Sequence, residues 1–257
     1  MRYFLTLAYR GTQYAGWQRQ PNAVSVQETL ELALRTILRQ QVDLTGCGRT
    51  DTGVHARYYV AHADVAGALP PTLLNGLNSL LPDDIAVFDI VPVPGDAHAR
   101  YDAFERSYEY TITLRKDPFS VDTAWFYPQG HRLDLRNMEA VAGLIPHFET
   151  FFPFCKSHSG VDSYACAIKQ CAWAFDEADY RLVFRISANR FLRGMVRLIV
   201  GACVQAGQGQ ITVEDVRIAL ENQTPLKKSW SVPPHGLALT GVKYPYPLTT
   251  AGPNTAR

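Results

Sequence analysis

The sequence has little net charge, few cysteines and no long apolar run, and each shortage excludes a class of protein. Formal net charge is +1, with 25 basic and 24 acidic residues, so no global positive field marks a polyanionic partner. The five cysteines are an odd number without C-x-x-C spacing, which indicates neither a disulfide framework nor a zinc ribbon. No apolar run is long enough to cross a bilayer, and no repeat or low-complexity tract is present. We expect a reduced, cytoplasmic protein with no membrane partner and no signal peptide.

The positions of the charged residues are more informative than the net charge. Of the 257 residues, 47% are hydrophobic and 19% charged, which is ordinary for a globular protein. Residues 1–27 contain three arginines and no acid, and residues 180–213 contain five arginines and again no acid. This segregation predicts one basic face, which is typical of nucleic-acid binding. Chance clustering is the alternative.

The turn at residues 48–55 is the strongest candidate for chemistry. It follows an apolar run, and Asp51 is flanked by Gly46, Gly48 and Gly53, which let the backbone turn sharply close to a ligand. A carboxylate beside the permanent cation of Arg49 stays ionised, which suits a nucleophile or an electrostatic stabiliser. The alternative is an aspartate that only caps the turn, with Arg49 as a surface partner.

The hydrophobic pattern predicts alternating strands and helices along the chain. A stiff turn at residues 92–96 is the best internal boundary, after which the alternation restarts. The predicted helices, each with an N-terminal capping or Pro signal, cover residues 25–40, 70–81, 134–144 and 212–220. The predicted strands cover residues 3–9, 42–47, 58–65, 85–91, 106–112, 167–175, 180–188 and 237–242, and the tail from residue 245 is expected to fray.

Several aromatic residues have two possible roles. Tyr14 and Trp17, in the loop at residues 11–20, either stack on nucleobases or pin the loop to the core. Tyr108 shares a strand face with Tyr110 and Ile112, and periodicity does not decide between a cleft and the core. For His62, alone on its strand, we favour a structural role over a catalytic one.

Residues 189–201 predict an amphipathic helix that carries a stripe of arginines. Arg190, Arg193 and Arg197 are spaced at i, i+3 and i+7, close to one face. Because the later part of this segment is very apolar, Arg197 is expected to be partly buried and to need a carboxylate or phosphate partner.

Three other chemistries fit the residues less well. Asp51-Thr52-Gly53 is the triplet of aspartic proteases, but those enzymes need two carboxylates that share a proton, and the chain has one copy. A glycoside hydrolase needs a second acid, for which Asp102 and Glu109 are available but not placed. The histidines and cysteines show no recognised metal-ligand spacing.

Several motifs together resemble the bacterial tRNA pseudouridine synthase A family. They occur in the family's order over nearly the whole chain, from about residue 2 to residue 244. The blocks are residues 14–18 (Y-x-G-W-Q), 25–28 (S-V-Q-E), 48–56, 98–100 (H-A-R), 106–110 (R-S-Y-x-Y), 191–201 (F-x-x-x-M-V-R-x-I-V-G) and 233–237 (P-P-H-G-L).

The resemblance implies a fold and a division of the chain. The implied class is α+β, with two related ferredoxin-like halves forming one extended, mixed and mainly antiparallel sheet, helices on one side and an active-site cleft between the halves. The N-terminal half would span residues 1–95 and the C-terminal half residues 96–247, followed by a flexible tail, 248–257. Members act as homodimers that hold tRNA across both subunits.

The resemblance also implies an activity without cofactor or metal. Uridines at positions 38, 39 and 40 in the anticodon stem-loop of tRNA would be isomerised to pseudouridine after base flipping. Asp51 matches the nucleophile, Arg197 its ion-pair partner and Tyr108 the residue that packs on the target base. Arg49 is associated with flipping, and His55, Arg190 and Arg193 are further expected substrate contacts.

The chain departs from the family pattern at a few positions. Thr52 replaces a common alanine, Arg193 and Gly194 replace a histidine pair, Leu198 replaces an asparagine and Tyr59 replaces a glutamine. Residues 151–166 match poorly, so the choice among neighbouring uridines stays open. A catalytically silent tRNA-binding protein of the same fold is the second interpretation, and a carboxylate glycosidase the third.

Overall fold

The chain alternates strands and helices in two successive sets. The computed structural model describes residues 1–156, 160, 162–178 and 180–248, and within them the chain forms nine strands and five α-helices. The first set is β1 (Arg2–Tyr9), α1 (Val26–Leu38), β2 (Thr45–Gly46), β3 (His55–Asp64), α2 (Leu73–Leu80) and β4 (Ile85–Val93). The second is β5 (Glu105–Thr113), β6 (Trp125–Phe126), α3 (Leu135–Leu144), β7 (Ile168–Asp176), β8 (Arg181–Ala188), α4 (Met195–Gly207), α5 (Val213–Asn222) and β9 (Leu237–Lys243).

All nine strands belong to one sheet. The strand order is β4-β1-β3-β9-β5-β8-β7, with β2 paired to β3 and β6 paired to β5. When the two-residue β6 is left out, each half repeats the order fourth, first, third, second, as β4-β1-β3-β2 and β9-β5-β8-β7, which is the ferredoxin-like arrangement. This confirms the predicted α+β class with two related halves in one mixed, mainly antiparallel sheet.

The two halves meet at a short parallel pairing between β3 and β9. His55 is opposite Ala238 and Ala56 is opposite Leu239. Farther along the same edge of β3, the two residues of β2 pair with its other end. Strand β9, the last among the described residues, thus lies in the middle of the sheet, immediately beside the end of β3 that follows the Asp51 turn.

Local signals set where most helices begin. Ser25 Oγ accepts a hydrogen bond from Glu28 N, and α1 begins at the next residue, Val26. Thr212 and Asp215 form a reciprocal capping box at the start of α5, and Asp134 caps α3 through the backbone N–H groups of two residues. The helices predicted from these signals are confirmed.

The strand predicted at residues 42–47 is wrong for most of its length, because only Thr45 and Gly46 pair with β3. Side chains of α1 take the backbone groups of Leu44 instead. Leu44 N donates to Glu31 Oε1 over 2.9 Å, and Leu44 O accepts from Gln27 Nε2 over 3.0 Å. These bonds hold the segment against the helix and leave it outside the ladder.

The start of α4 also differs from the prediction. The helix begins at Met195, and Gly194 before it has a left-handed φ of 71°, which breaks a helix that would start at Asn189. The carbonyl of Arg193 accepts from Lys156 N over 3.1 Å instead of bonding within a helix. Arg190 and Arg193 therefore lie in the preceding loop, so the predicted single stripe with Arg197 is wrong.

Two hydrophobic cores lie along the sheet. The first is built mainly from residues 3–103 with Leu239 and Val242 of β9, and the second mainly from residues 110–237 with Val54. Phe151 and Phe154 are fully buried in the second core. No helix among the described residues has the length and apolar character needed to cross a membrane. A flexible tail is predicted at residues 248–257, and residues 249–257 of it lie outside the described residues.

Candidate active site

The end of β1 and the loop after it hold the Asp51 turn in place through Thr50. Thr50, which is buried, accepts a hydrogen bond from Trp17 N over 3.1 Å, and a second bond of 2.8 Å joins its hydroxyl to that of Tyr9. A Cβ on Gly16 would lie 2.2 Å from Thr50 O, so only glycine lets the two loops approach this closely. The residue before Asp51 is therefore fixed by three contacts.

A buried tyrosine and tryptophan fix the other end of the turn. Tyr59 donates to Gly48 O over 2.5 Å, and its ring stacks on Trp17 with centroids 4.1 Å apart. Trp17 and Tyr14 are both buried, and Tyr14 donates to Asp84 Oδ1 over 2.7 Å. Of the two roles open for these loop aromatics, the structure shows the pinning one.

Asp51 faces a guanidinium from the other half of the chain. Its Oδ2 is 3.4 Å from Nη1 of Arg197, which is on the first turn of α4. The Arg197 side chain is 12% exposed and that of Asp51 is 28% exposed, so the pair is shielded but the carboxylate is still reachable from solvent. Arg197 Nε also donates to Val232 O over 2.7 Å, which fixes the plane of the guanidinium.

Arg49 is not the partner of Asp51. Its side chain is exposed, and within the described residues it forms no ion pair. The neighbour in sequence thus stays at the surface, while the distant Arg197 supplies the countercharge. Asp51 keeps one cation beside it and has a second, unpaired cation two residues away.

Tyr108 lies on β5 at the boundary between the two cores and packs against both. Its ring meets the edge of Phe191 in a T-shaped contact, with centroids 5.2 Å apart and planes at 89°. Burial raises the pKa of the Tyr108 hydroxyl, and the charge of the nearby Asp51 adds to this effect. Tyr108 is therefore a neutral, rigid ring close to the carboxylate.

Arg106 connects three segments around this site. Its guanidinium donates to the carbonyl oxygens of Ala103, of Asn189 over 2.8 Å, of Cys47 over 2.9 Å and of Arg100 over 2.6 Å. Cys47 precedes the Asp51 turn, and Asn189 precedes the arginine loop before α4. Residue spacing shows no signal for this role, since the role depends on carbonyl groups from distant segments.

His55 is buried at the junction of the two halves. Its Nδ1 accepts from Gly11 N over 2.9 Å, so the proton is on Nε2, which donates to His235 O over 3.0 Å. Burial lowers the pKa of His55, which keeps this donor and acceptor pattern. Next to it, Gly53 has a φ of 77°, and a Cβ there would lie 2.9 Å from Cγ of Pro234.

Three of the five arginines of residues 180–213 have acidic partners. Arg181 pairs with Asp117, Arg185 with Glu109 and Arg197 with Asp51. Arg190 and Arg193 are exposed and have no acidic partner among the described residues. Together with Arg49, these two arginines are exposed cations without an acidic partner among the described residues, and they are available to a ligand.

Cys47 and His62 are both uncharged at neutral pH. Burial raises the pKa of the Cys47 thiol to about 11, so it does not compete with Asp51 as a nucleophile. His62 accepts from Ala99 N over 3.1 Å through Nδ1, and burial lowers its pKa to about 4. These contacts give His62 a structural role.

Comparison with known proteins matches the chain to a family of RNA-modifying enzymes. The profile of a family described as tRNA pseudouridine synthase matches residues 6–102 and 148–245, which include Asp51 and Arg197. The chain belongs to the tRNA pseudouridine synthase family, whose members convert uridine to pseudouridine.

Close relatives cover almost the whole chain. The tRNA pseudouridine synthase A of Porphyromonas gingivalis is 44% identical over 96% of this chain and 98% of its own length. That of Bacteroides fragilis is 44% identical over 95% of this chain and 96% of its own. That of Clostridium acetobutylicum is 36% identical over 93% of this chain and 98% of its own. The resemblance drawn from the motifs is confirmed.

Proposed function

We propose that this chain isomerises uridines to pseudouridines in the anticodon arm of tRNA, with Asp51 as the nucleophile. The observation that carries the proposal is the ion pair between Asp51 and Arg197, which joins the two halves within the segments matched by the family profile. The pair leaves a carboxylate that is partly exposed and held by a fixed countercharge. A carboxylate of this kind suits covalent catalysis at a sugar or a base.

The reaction keeps every heavy atom of the uridine. The bond from C1′ to N1 breaks, a bond from C1′ to C5 forms, the C5 hydrogen leaves to water and N1 gains a proton. The detached uracil must turn without escaping, which requires a closed site with little water. The neutral ring of Tyr108 suits the floor of such a site, because it confines a planar base and allows rotation in its plane.

The exposed arginines support the binding step of the proposal. A uridine within a stacked arm must be extruded, at a cost of a few kcal/mol in lost stacking. We assign Arg49 to the space left by the extruded base, and Arg190 and Arg193 to phosphates beside it. All three are exposed and free of acidic partners among the described residues.

The proposal gives His55 a supporting role, whereas the family resemblance implies a substrate contact. Both of its ring nitrogens are engaged by backbone groups, and the side chain is buried. These contacts favour a supporting role, in which His55 ties the Asp51 turn to the loop before β9. A direct substrate contact by His55 stays a prediction.

Two further parts of the proposal concern the assembly. We infer from the family resemblance that two copies associate and that one tRNA contacts both, in the cytoplasm. The oligomeric state of the purified protein, measured by light scattering with and without tRNA, tests this part separately from the chemistry.

Tritium release from tRNA labelled at uridine C5 tests the activity. We expect the purified protein to release tritium without added metal or cofactor and to leave pseudouridine in the RNA. Binding of tRNA without tritium release would favour the silent RNA-binding protein instead. Release of free uracil, with loss of the base from the RNA, would favour a glycosidase.

A further inference from the structure

Tyr101 is an exposed aromatic residue outside the site described above. Its side chain is 75% exposed and lies in the loop between β4 and β5. The ring packs on His98, with centroids 4.2 Å apart and planes at 34°, and the guanidinium of Arg100 is 5.7 Å from the ring centroid. An aromatic surface beside a cation is therefore presented to solvent.

The loop holds this ring in a fixed position. His98 N donates to Asp102 Oδ2 over 2.7 Å, and Tyr246 donates to the same oxygen over 2.6 Å. His98 Nδ1 in turn accepts from the backbone N–H groups of Arg100 at 3.1 Å and Tyr101 at 3.3 Å. The His98 ring that packs on Tyr101 is thus fixed in position. Binding of a planar ligand therefore costs Tyr101 little additional conformational entropy.

Arg106 places this loop next to the Asp51 turn. One nitrogen of its guanidinium donates both to Arg100 O over 2.6 Å and to Cys47 O over 2.9 Å. Tyr101 follows the first of these carbonyls directly, and Asp51 follows the second by four residues. An RNA strand with one nucleotide at Asp51 therefore has its neighbouring nucleotides within reach of Tyr101.

We propose that Tyr101, together with Arg100, binds a nucleobase of the RNA strand that flanks the target uridine. This inference rests on the proposed function, because it takes RNA as the ligand. A rigid tyrosine ring stacks on any base, and the adjacent guanidinium either stacks on it or pairs with its phosphate. The contact binds the strand and takes no part in the bond changes at the uridine.

The test compares Tyr101→Ala, Tyr101→Phe and Tyr101→Trp for tRNA affinity. Loss of one base–aromatic stack weakens affinity by roughly 5- to 100-fold, which is the effect expected for the alanine variant. The phenylalanine and tryptophan variants keep a ring and should bind within about threefold of wild type. Phe88→Ala removes an aromatic side chain that is 54% exposed on the edge strand β4, so it is the matched control and should bind like wild type.

Two further readouts separate stacking from a structural effect. The midpoint of thermal unfolding should not change in Tyr101→Ala, because the side chain is exposed. Tritium release at saturating tRNA should stay within about threefold of wild type, so the loss appears in KM and not in kcat. A wild-type affinity for the alanine variant overturns the inference, and so does an equal loss in the alanine and phenylalanine variants.

Failure of the inference is distinguishable from failure of the proposed function. If wild type binds tRNA but releases no tritium, the proposed function fails while the affinity comparison still decides the role of Tyr101. If wild type is active and Tyr101→Ala binds equally well, only the inference fails. A drop in kcat with unchanged affinity would also contradict it, because stacking in the bound state must appear in affinity.

Discussion

Replacing Arg197 tests whether a fixed guanidinium sustains the reactivity of Asp51. Arg197 makes two bonds at once, to Val232 O at 2.7 Å and to Asp51 Oδ2 at 3.4 Å. In Arg197→Lys, a single ammonium replaces the planar fork and cannot reproduce both bonds in one plane. In Arg197→Met, the carboxylate loses its countercharge altogether.

The expected magnitudes follow from the geometry of the pair. A hydrogen bond to a charged group contributes about 1.5 to 3 kcal/mol, and the long 3.4 Å contact with a carboxylate that is 28% exposed argues for the lower end. About 1.5 kcal/mol corresponds to about a tenfold loss of kcat/KM in Arg197→Lys. Removal of one partner from a shielded pair costs about 3 kcal/mol or more, so Arg197→Met should lose about 100-fold or more.

The assay is tritium release from C5-labelled tRNA, with tRNA affinity and urea unfolding measured on the same variants. Affinity should change less than kcat/KM, because the pair acts on the nucleophile. Arg185→Lys is the matched control, since Arg185 is 50% exposed and pairs with Glu109 away from Asp51. It should stay within about twofold of wild type. Wild-type kcat/KM in both Arg197 variants would refute the reasoning.

Three other residues give separate expectations. Tyr108→Ala should lower kcat/KM for tritium release by roughly 5- to 100-fold through loss of stacking, whereas Tyr108→Phe should stay within about fivefold; equal losses would show that the hydroxyl matters and not the ring. Arg106→Lys cannot reach four carbonyls, so urea unfolding should show a loss of about 2 kcal/mol and tritium release a drop of about tenfold, and no change in either would contradict the linking role. The folded pKa of His62 is about 4, below the ordinary 6.5, so the unfolded chain binds more protons and stability is lost as pH falls from 6.5 towards 4. Between pH 7 and pH 5 wild type should therefore lose about 2 kcal/mol more unfolding free energy than His62→Gln, and equal losses would exclude this cause.

Local signals predicted the elements that depend on local bonds. The Ser25, Asp134 and Thr212 caps act within one turn of their helices, and the sequence shows them directly. The strands β5, β7 and β8 were predicted to within about two residues, because each contains apolar residues at strand spacing in its sequence. The ferredoxin-like halves came from the family resemblance and not from these patterns.

The misplaced elements depend on groups far away in the sequence. The segment before Thr45 is apolar enough for a strand, but Glu31 and Gln27 of α1 take the backbone groups of Leu44. The periodicity of residues 189–201 is helical, yet Gly194 and the bond from Lys156 N to Arg193 O delay the helix. The hydrophobic periodicity of a segment contains no information about such distant partners.

The same difference between local and distant interactions applies to the candidate site. Asp51 stood out because a carboxylate in a glycine-rich turn is locally unusual. Local spacing offers Arg49, two residues away, as the nearest cation, whereas the countercharge comes from Arg197, 146 residues along the chain, which only the family resemblance implied. The linking role of Arg106 depends on four carbonyl oxygens from three segments, which no sequence pattern reveals.

The most direct test of the account is a map of pseudouridine in tRNA from cells that lack the gene. Such cells are supplied either with the wild-type chain or with Asp51→Asn, a variant of the same size without the negative charge. The wild-type chain should restore pseudouridine in the anticodon arm, and Asp51→Asn should leave uridine at those positions although the protein is folded and binds tRNA. Pseudouridine restored by Asp51→Asn, or no difference between cells with and without the gene, would contradict the claim that Asp51 carries the isomerisation.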